Sequence, residues 1–347
     1  MSLLDGLSGR ADVLLISPTA SGLGGVARHV SELASHLRAA GYSVDLISSE
    51  NTPIVKVKGL KNPSFMITSS LSAAFRKASV VHAHNVPSSF AMKTAAAERK
   101  ILTIHGVYAE QVNLLHGSAV GRVASFIEKK AVEWADIVTV VSEKAAEAYR
   151  RMGVEAVYIP NAVDVRLDDV EKVRTASKQV VYVGRLSREK NVGAIVEAAR
   201  HLKDVVFVIV GEGPERKSLQ RAAEGLDNVL FAGGVEHRKA LGYIAGSDVL
   251  VLPSFAEGMS TVLLEAMSLK TPVVASAVGG NTEIIQHGVT GLLFQPDDVQ
   301  QLVESVAKLF ADPEYAAQLA ENAYRKAVEK FSWKTVFPLY LKVYGFG

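Results

Sequence analysis

The stretch V-L-V-L-P-S-F-A-E-G-M-S-T-V-L-L-E-A-M, residues 249–267, reads as three pieces in series. Four consecutive apolar residues, 249–252, have the length and branching of a strand buried on both faces. Pro253 to Met259 break the run, and Ser260 or Thr261 is a fit residue to cap a helix continuing through Met267. Strand, loop, helix is the repeating unit of a doubly wound α/β sheet. Along the helix Val262, Ala266 and Leu269 share one face and Thr261, Glu265 and Ser268 another, so Glu265 is expected to look away from the apolar core. The loop Glu257, Gly258, Met259, Ser260 offers backbone N–H groups at a helix start, which suits anionic or hydroxyl-rich ligands. Alone, carboxylates at such a place also read as complements of the helix dipole.

The same order recurs along the chain. Residues 12–16, D-V-L-L-I, read as a short buried strand, followed by a loop containing Gly22, Gly24 and Gly25 and a helical pattern through Ala40. Further strands are expected at 44–47, 80–82, 101–104, 137–141 and 156–159. A second series falls at 180–183, 205–210, 229–231, 249–252, 273–275 and 292–294. The polar stretch 163–178 between the two series reads as the hinge region and its flank, and the tail from Asp297 reads as helical, with Pro313 opening one helix and Ser332 interrupting before the last. The expected organisation is α/β with two Rossmann-like doubly wound domains facing each other across a central cleft. The first covers 1–160 and is completed by a C-terminal helix at 333–347; the second covers 161–332.

Composition narrows the function. Among 347 residues, 38 Lys and Arg stand against 36 Asp and Glu, a net charge of +2 that gives no case for a nucleic-acid partner. There is no cysteine, which removes disulfides, thiolate catalysis and cysteine zinc sites. The nine histidines show no metal-ligand spacing. No apolar run has membrane-span length and residues 1–10 lack a signal-peptide pattern, so the expected location is cytoplasmic. Peripheral contact at the inner face of a membrane stays open through 118–134, a helical stretch carrying Arg122, Lys129 and Lys130 that reads equally as a solvated or domain-packing face.

Three clusters carry candidate chemistry. Gly24 and Gly25 stand where a strand turns into a helix, so a phosphate could approach the backbone; tight-turn glycines or a loose dinucleotide fingerprint fit the same spacing. Gly184-Arg185-Leu186-Ser187-Arg188-Glu189-Lys190-Asn191 follows a strand and precedes a helix, placing Arg185 and Lys190 about a turn that could clamp a departing diphosphate or be a solvated basic turn. Gly211-Glu212-Gly213-Pro214 is another strand-end turn. Thr103-Ile104-His105-Gly106 and Val81-His82-Ala83-His84-Asn85 place histidines at strand ends, where packed and functional roles compete.

In order and spacing these motifs resemble the family 4 retaining glycosyltransferases of the two-Rossmann GT-B fold. The features in register are Gly24-Gly25-Val26, 103–106, Ile159-Pro160-Asn161, 182–186 with Lys190-Asn191, 210–214, 253–267 with its E-x7-E spacing, Pro272-Val273-Val274-Ala275, and His287-Gly288 to Gly291-Leu292-Leu293. The resemblance runs from about residue 12 to the last helix. It implies transfer of a sugar from a nucleoside diphosphate sugar, such as a UDP-sugar, to a hydroxyl acceptor in a glycan, lipid or small molecule. The anomeric configuration is retained, and neither a cofactor nor an essential metal is needed. By motif match, Arg185 and Lys190 hold the diphosphate and Glu265 the ribose. Glu257 and the amides of Gly258, Met259 and Ser260, with Thr261 beside them, hold the donor sugar, while Gly184 and Gly211 line the nucleotide turns. Gly24 and Gly25 approach the diphosphate, and His105 contacts the sugar near the reacting carbon.

Three departures from the family's usual residues stand out: Ala162 and Lys270 in place of glycine and Met259 in place of phenylalanine. Met259 bears on which sugar is taken. A dinucleotide oxidoreductase leaves the 185–190 turn and the Glu257/Glu265 pair unexplained. An exported solute-binding protein lacks its signal. A sugar-nucleotide epimerase of the same fold would be told apart by epimerising donor without acceptor.

Overall fold

The computed structural model describes residues 10–20, 24–55, 57, 60–106, 118–164 and 170–347. The chain divides into two compact units, one made of 1–160 with 337–347 and the other of 161–336.

The first unit runs β1 (Ala11–Ser17), α1 (Gly25–Ala39), β2 (Val44–Ser48), α2 (Lys61–Ala73), β3 (Lys77–His84), α3 (Ser89–Thr94), β4 (Ala96–Ile104), α4 (Ser118–Glu133), β5 (Ile137–Val140), α5 (Glu143–Arg151) and β6 (Ala156–Tyr158). All its strand pairs are parallel, in the order β2-β1-β3-β4-β5-β6. Leu14, Ile16, Val81, Ala83, Leu102, Ile104, Val138 and Val140 point from alternate strand positions into one core, which Phe65, Met92 and Tyr149 close from the helices. Ser142 Oγ accepts from Ala145 N–H at 3.1 Å and starts α5 as a side-chain cap.

The second unit continues with β7 (Gln179–Val183), α6 (Gly193–His201), β8 (Val206–Val210), α7 (Arg216–Ala222), β9 (Val229–Gly233), α8 (His237–Ala245), β10 (Val249–Leu252), α9 (Thr261–Ser268), β11 (Val273–Ser276), α10 (Asn281–Ile284), β12 (Leu292–Phe294), α11 (Val299–Ala311), α12 (Pro313–Lys330) and α13 (Trp333–Tyr344). Its parallel sheet has the order β12-β11-β10-β7-β8-β9. Every residue of β7, β10 and β11 is buried, as expected of strands covered by helices on both faces. Asp312 caps α12 through Tyr315 N–H at 2.9 Å with Pro313 in the first turn. The last helix, α13, starts in the second unit and from Phe337 belongs to the first.

The strands fall within a few residues of the runs read from sequence. Of the stretch 163–178 read as the hinge region and its flank, residues 165–169 lie outside the described residues. Val163 N–H donates to Phe331 O at 2.9 Å and Val173 N–H to Gly242 O at 2.9 Å. A Cβ on Gly242 would meet Glu171 O at 2.4 Å, and one on Gly246 would meet Val173 O at 2.3 Å. Gly242 on α8 and Gly246 at its C-cap thus let residues 171–173 lie directly against the helix, so this part is packed structure of the second unit.

Candidate functional site

In the second sheet the strand order reverses between β7 and β10, and in open α/β sheets ligands bind beyond the carboxyl ends of the strands at such a point. The loops leaving these ends are 184–192 after β7 and 253–260 after β10, with 211–215 leaving the neighbouring β8.

The turns are knitted by backbone. Gly184 N–H donates to Val210 O at 3.0 Å, Leu186 N–H to Glu212 O at 2.9 Å, and Glu215 N–H to Leu186 O at 3.0 Å. Gly211 adopts φ +148, and a Cβ there would stand 1.8 Å from Gly184 O. Tyr182 OH donates to Arg185 O at 2.8 Å, and its phenol pKa is pushed well up, first by burial and then by the charges of Glu257 and Glu189. Arg185 is exposed, and its guanidinium makes no hydrogen bond or ion pair among the described residues. Lys190 Nζ donates to Glu257 Oε1 at 2.6 Å. Ser254 Oγ donates to the same oxygen at 2.7 Å, so Glu257, with a side chain 8% exposed, is held from two sides.

The loop around Glu257 rests on glycine. A Cβ on Gly279 would meet Glu257 O at 1.9 Å and one on Gly280 would meet Gly258 O at 1.9 Å. Asn161 Nδ2 donates to Met259 O at 2.9 Å, which fixes Met259, itself buried. Ser260 Oγ accepts from Leu263 N–H and caps α9.

Glu265 departs from its expected orientation. It is buried rather than turned out, because α8 covers that face of α9, and His237 Nε2 lies 2.8 Å from its Oε1. The helical wheel separated Thr261, Glu265 and Ser268 from the apolar face, yet all three are buried. A carboxylate kept there beside an imidazole is a fixed acceptor.

In the first unit, Gly24 is the N-cap of α1, extended at φ −86, with Arg28 N–H donating to Gly24 O at 3.0 Å. The Gly22 part of that loop lies outside the described residues. One turn into α1, His29 joins His82, His84 and His105 in a cluster. His84 Nδ1 and His105 Nε2 are 3.1 Å apart, His29 Nε2 is hydrogen-bonded to Tyr340 OH at 2.9 Å, and His82 bonds Tyr344 OH at 2.7 Å and Thr103 Oγ1 at 2.6 Å. Asn85, at φ +63, accepts from His105 N–H through Oδ1 at 3.1 Å. Burial drives the pKa of all four histidines down, to about 3 for His82 and about 4 for His105 and well below the usual value for His29 and His84, so they are neutral at pH 7. The ligand atoms of His29, His84 and His105 lie within 4.8 Å of one another. Among the described residues this is the one grouping with metal-ligand proximity, and neutral imidazole is the ligating form. Residues on three different elements leave no spacing signal in sequence.

Two doubly wound parallel domains, one carrying a cationic, glycine-built turn at its switch point beside a paired carboxylate, define the GT-B class of fold. The comparisons agree: a family model described as "Glycosyltransferase Family 4" matches residues 23–167, and one described as "Glycosyl transferases group 1" matches 166–326. The chain belongs to the family 4 glycosyltransferases. It is 31% identical over 232 residues to an alpha-D-kanosaminyltransferase of Streptomyces kanamyceticus, a match spanning 60% of each chain. The solved sucrose-phosphate synthase of Thermosynechococcus elongatus superposes with TM-score 0.82 at 23% identity, covering 97% of this chain and 100% of that one. An Anabaena protein, HepE, solved in complex with UDP-glucose, gives TM-score 0.75 at 20% identity, covering 96% and 99%. Among the described residues no helix is long and apolar enough to cross a membrane.

Proposed function

We propose that the protein transfers a sugar from a nucleoside diphosphate sugar to a hydroxyl acceptor, with retention of configuration and without an essential metal. The observation that carries this is the pairing of Lys190 with the half-buried Glu257, together with the uncompensated Arg185, at the carboxyl ends of β7 and β10. When the bond from the sugar's anomeric carbon to the diphosphate breaks, negative charge gathers on the departing phosphate. Fixed cations stabilise it as it forms. Glu265, held by His237, is suited to accept hydrogen bonds from a ribose diol, and Glu257 with the amides of Gly258–Ser260 to hold sugar hydroxyls. On the family resemblance, Gly24 and Gly25 take diphosphate contacts, and His105, neutral at pH 7, takes the donor sugar. The acceptor oxygen bonds to the anomeric carbon from the leaving-group face, and its proton passes to a phosphate oxygen of the donor. Such a step needs no nucleophilic side chain.

The acceptor is a glycan, lipid or small-molecule hydroxyl, met on the cytoplasmic side with peripheral contact to the membrane. That a UDP-glucose complex exists for a protein of the same fold supports a nucleotide-sugar donor. The test is a thermal-shift panel of UDP-, GDP- and ADP-sugars with NAD(P) as control, then product analysis with candidate acceptors in the presence of a chelator. Stabilisation by one nucleotide sugar and chelator-resistant transfer are expected. Stabilisation by NAD(P) alone, or donor epimerised without acceptor, overturns the reading.

A further inference from the structure

The first unit leaves a run of apolar side chains in solvent that sugar transfer does not use. Pro63, Ile67, Leu71 and, just past the end of α2, Phe75 succeed one another at intervals of four and form one ridge. Ile67, Leu71 and Phe75 are 64%, 63% and 74% exposed. Val123 and Phe126 of α4 are exposed as well. Between the helices lies an open groove of about 620 Å³, lined by Met66, Ile67 and Leu71, by Pro87 and Phe90, and by Ile127 of α4. Single exposed apolar residues are ordinary, whereas a contiguous patch with a groove marks an interaction surface.

The segment that carries the ridge is one-sided in charge along its sequence, and its Arg76 is paired with Asp45 at 3.5 Å. From Asn51 to Ala97 the chain carries Lys56, Lys58, Lys61, Arg76, Lys77 and Lys93 and no Asp or Glu, although the whole chain is nearly balanced. Lys61, Lys77 and Lys93 are exposed. Lys93 Nζ stands 4.3 Å from the ring centre of Trp134, which also meets Phe90 edge to face at 5.1 Å. A lysine over an indole at the margin of an apolar surface is the arrangement of an interfacial anchor.

We infer that this face docks on an anionic lipid bilayer, the 63–75 ridge entering the headgroup boundary and the groove receiving acyl chain. Interfacial binding sums buried apolar area and attraction of basic residues to acidic headgroups, and both are present on one face. A second copy of the chain fits worse, because a two-fold contact sets the patch against itself and the segment 51–97 carries no carboxylate to meet the exposed Lys61, Lys77 and Lys93 of the other copy. The inference deepens the membrane contact in the proposed function and rests on it. Vesicle binding is measured without donor or acceptor, so failure of docking and failure of sugar transfer are read separately.

The test is co-sedimentation of the full chain with vesicles of phosphatidylcholine alone and with added phosphatidylglycerol. Binding is expected only with the anionic lipid and should fall as salt rises. The double variants Ile67→Gln/Leu71→Gln and Lys61→Glu/Lys77→Glu are each expected to bind about tenfold or more weakly with unchanged melting temperature. Should either double variant lower the melting temperature, Phe75→Ser at the most exposed position serves in its place. No binding to either vesicle, equal binding to both, or variants that bind like the native chain would overturn the inference. So would a dimer that Ile67→Gln/Leu71→Gln dissociates without any vesicle binding, which assigns the face to a second copy.

Discussion

Lys190 Nζ and Glu257 Oε1 stand 2.6 Å apart, and the lysine is the more exposed of the two, 25% against 8% for the side chains. The pair aims a cation outward from a carboxylate that Ser254 also holds. A diphosphate would draw on Arg185 first, which has no competing partner among the described residues, and on Lys190 by sharing it with Glu257. Lys190→Ala is therefore expected to lower kcat/KM at least about tenfold, near 1.4 kcal/mol of barrier, with the fold retained. Steady-state kinetics at saturating acceptor checks this, and unchanged kinetics removes the lysine from the leaving-group site.

His237 and Glu265 make the second fixed pair, at 2.8 Å. Glu265→Ala is expected to weaken UDP, GDP or ADP binding about tenfold, the loss of a charged hydrogen-bond acceptor. His237→Ala should cost less, because the carboxylate remains and only its orientation is freed. Calorimetry on both variants separates the two, and native affinity in Glu265→Ala would place the carboxylate outside the nucleotide site.

Gly280 has φ −67, a backbone that alanine adopts without strain, yet its Cβ would fall 1.9 Å from Gly258 O. Gly280→Ala thus tests packing alone. A loss of about 1–3 kcal/mol in stability is expected, with weaker donor binding because the Glu257 loop must shift. Urea melts and donor titration read the two effects, and native values for both would mean the loop has slack.

His105→Ala should keep donor binding and lose transfer. The bond from His105 N–H to Asn85 uses backbone and survives the change, while the imidazole beside His84 does not. Full transfer activity in this variant would return His105 to a packing role.

The buried histidines set an acid limit on the first unit. In the unfolded chain a histidine titrates near 6.5, whereas folded His82 titrates at about 3 and His105 at about 4. Between these values the unfolded chain holds protons that the folded unit refuses, so stability falls as pH drops below about 6.5. The slope is up to about 1.4 kcal/mol per pH unit for each histidine. Melting temperature should decline between about pH 6.5 and 5, before most carboxylates titrate. A flat profile there would mean that the cluster takes up protons while folded.

The strands were legible because a strand buried on both faces is written as an unbroken apolar run, and Val249–Leu252 and residues 13–16 show this. The turns after β7, β8 and β10 were legible from glycine and charge placed just beyond such runs. Hidden from sequence were the partners supplied by sheet order. Gly279 and Gly280 serve a loop some twenty residues earlier, and His237 meets Glu265 only because α8 lies on α9. Helical spacing turns Glu265 away from the apolar core face but does not say what covers it there. The joining of His29, His84 and His105 depends on the end of one helix and the ends of two neighbouring strands, with no local signal.

The hydroxyls bonded to His29 and His82 come from Tyr340 and Tyr344, and Arg99 Nη1 donates to Val343 O at 3.0 Å. These three belong to the segment 337–347, which the ribosome makes only after the whole of 161–336. At about 5–20 residues per second, β1 to β6 wait roughly ten to thirty-five seconds for the tyrosines that close their histidine cluster. The nascent first unit therefore cannot be sealed in synthesis order, and a chaperone that shields it during that interval has a definite stretch of time in which to act.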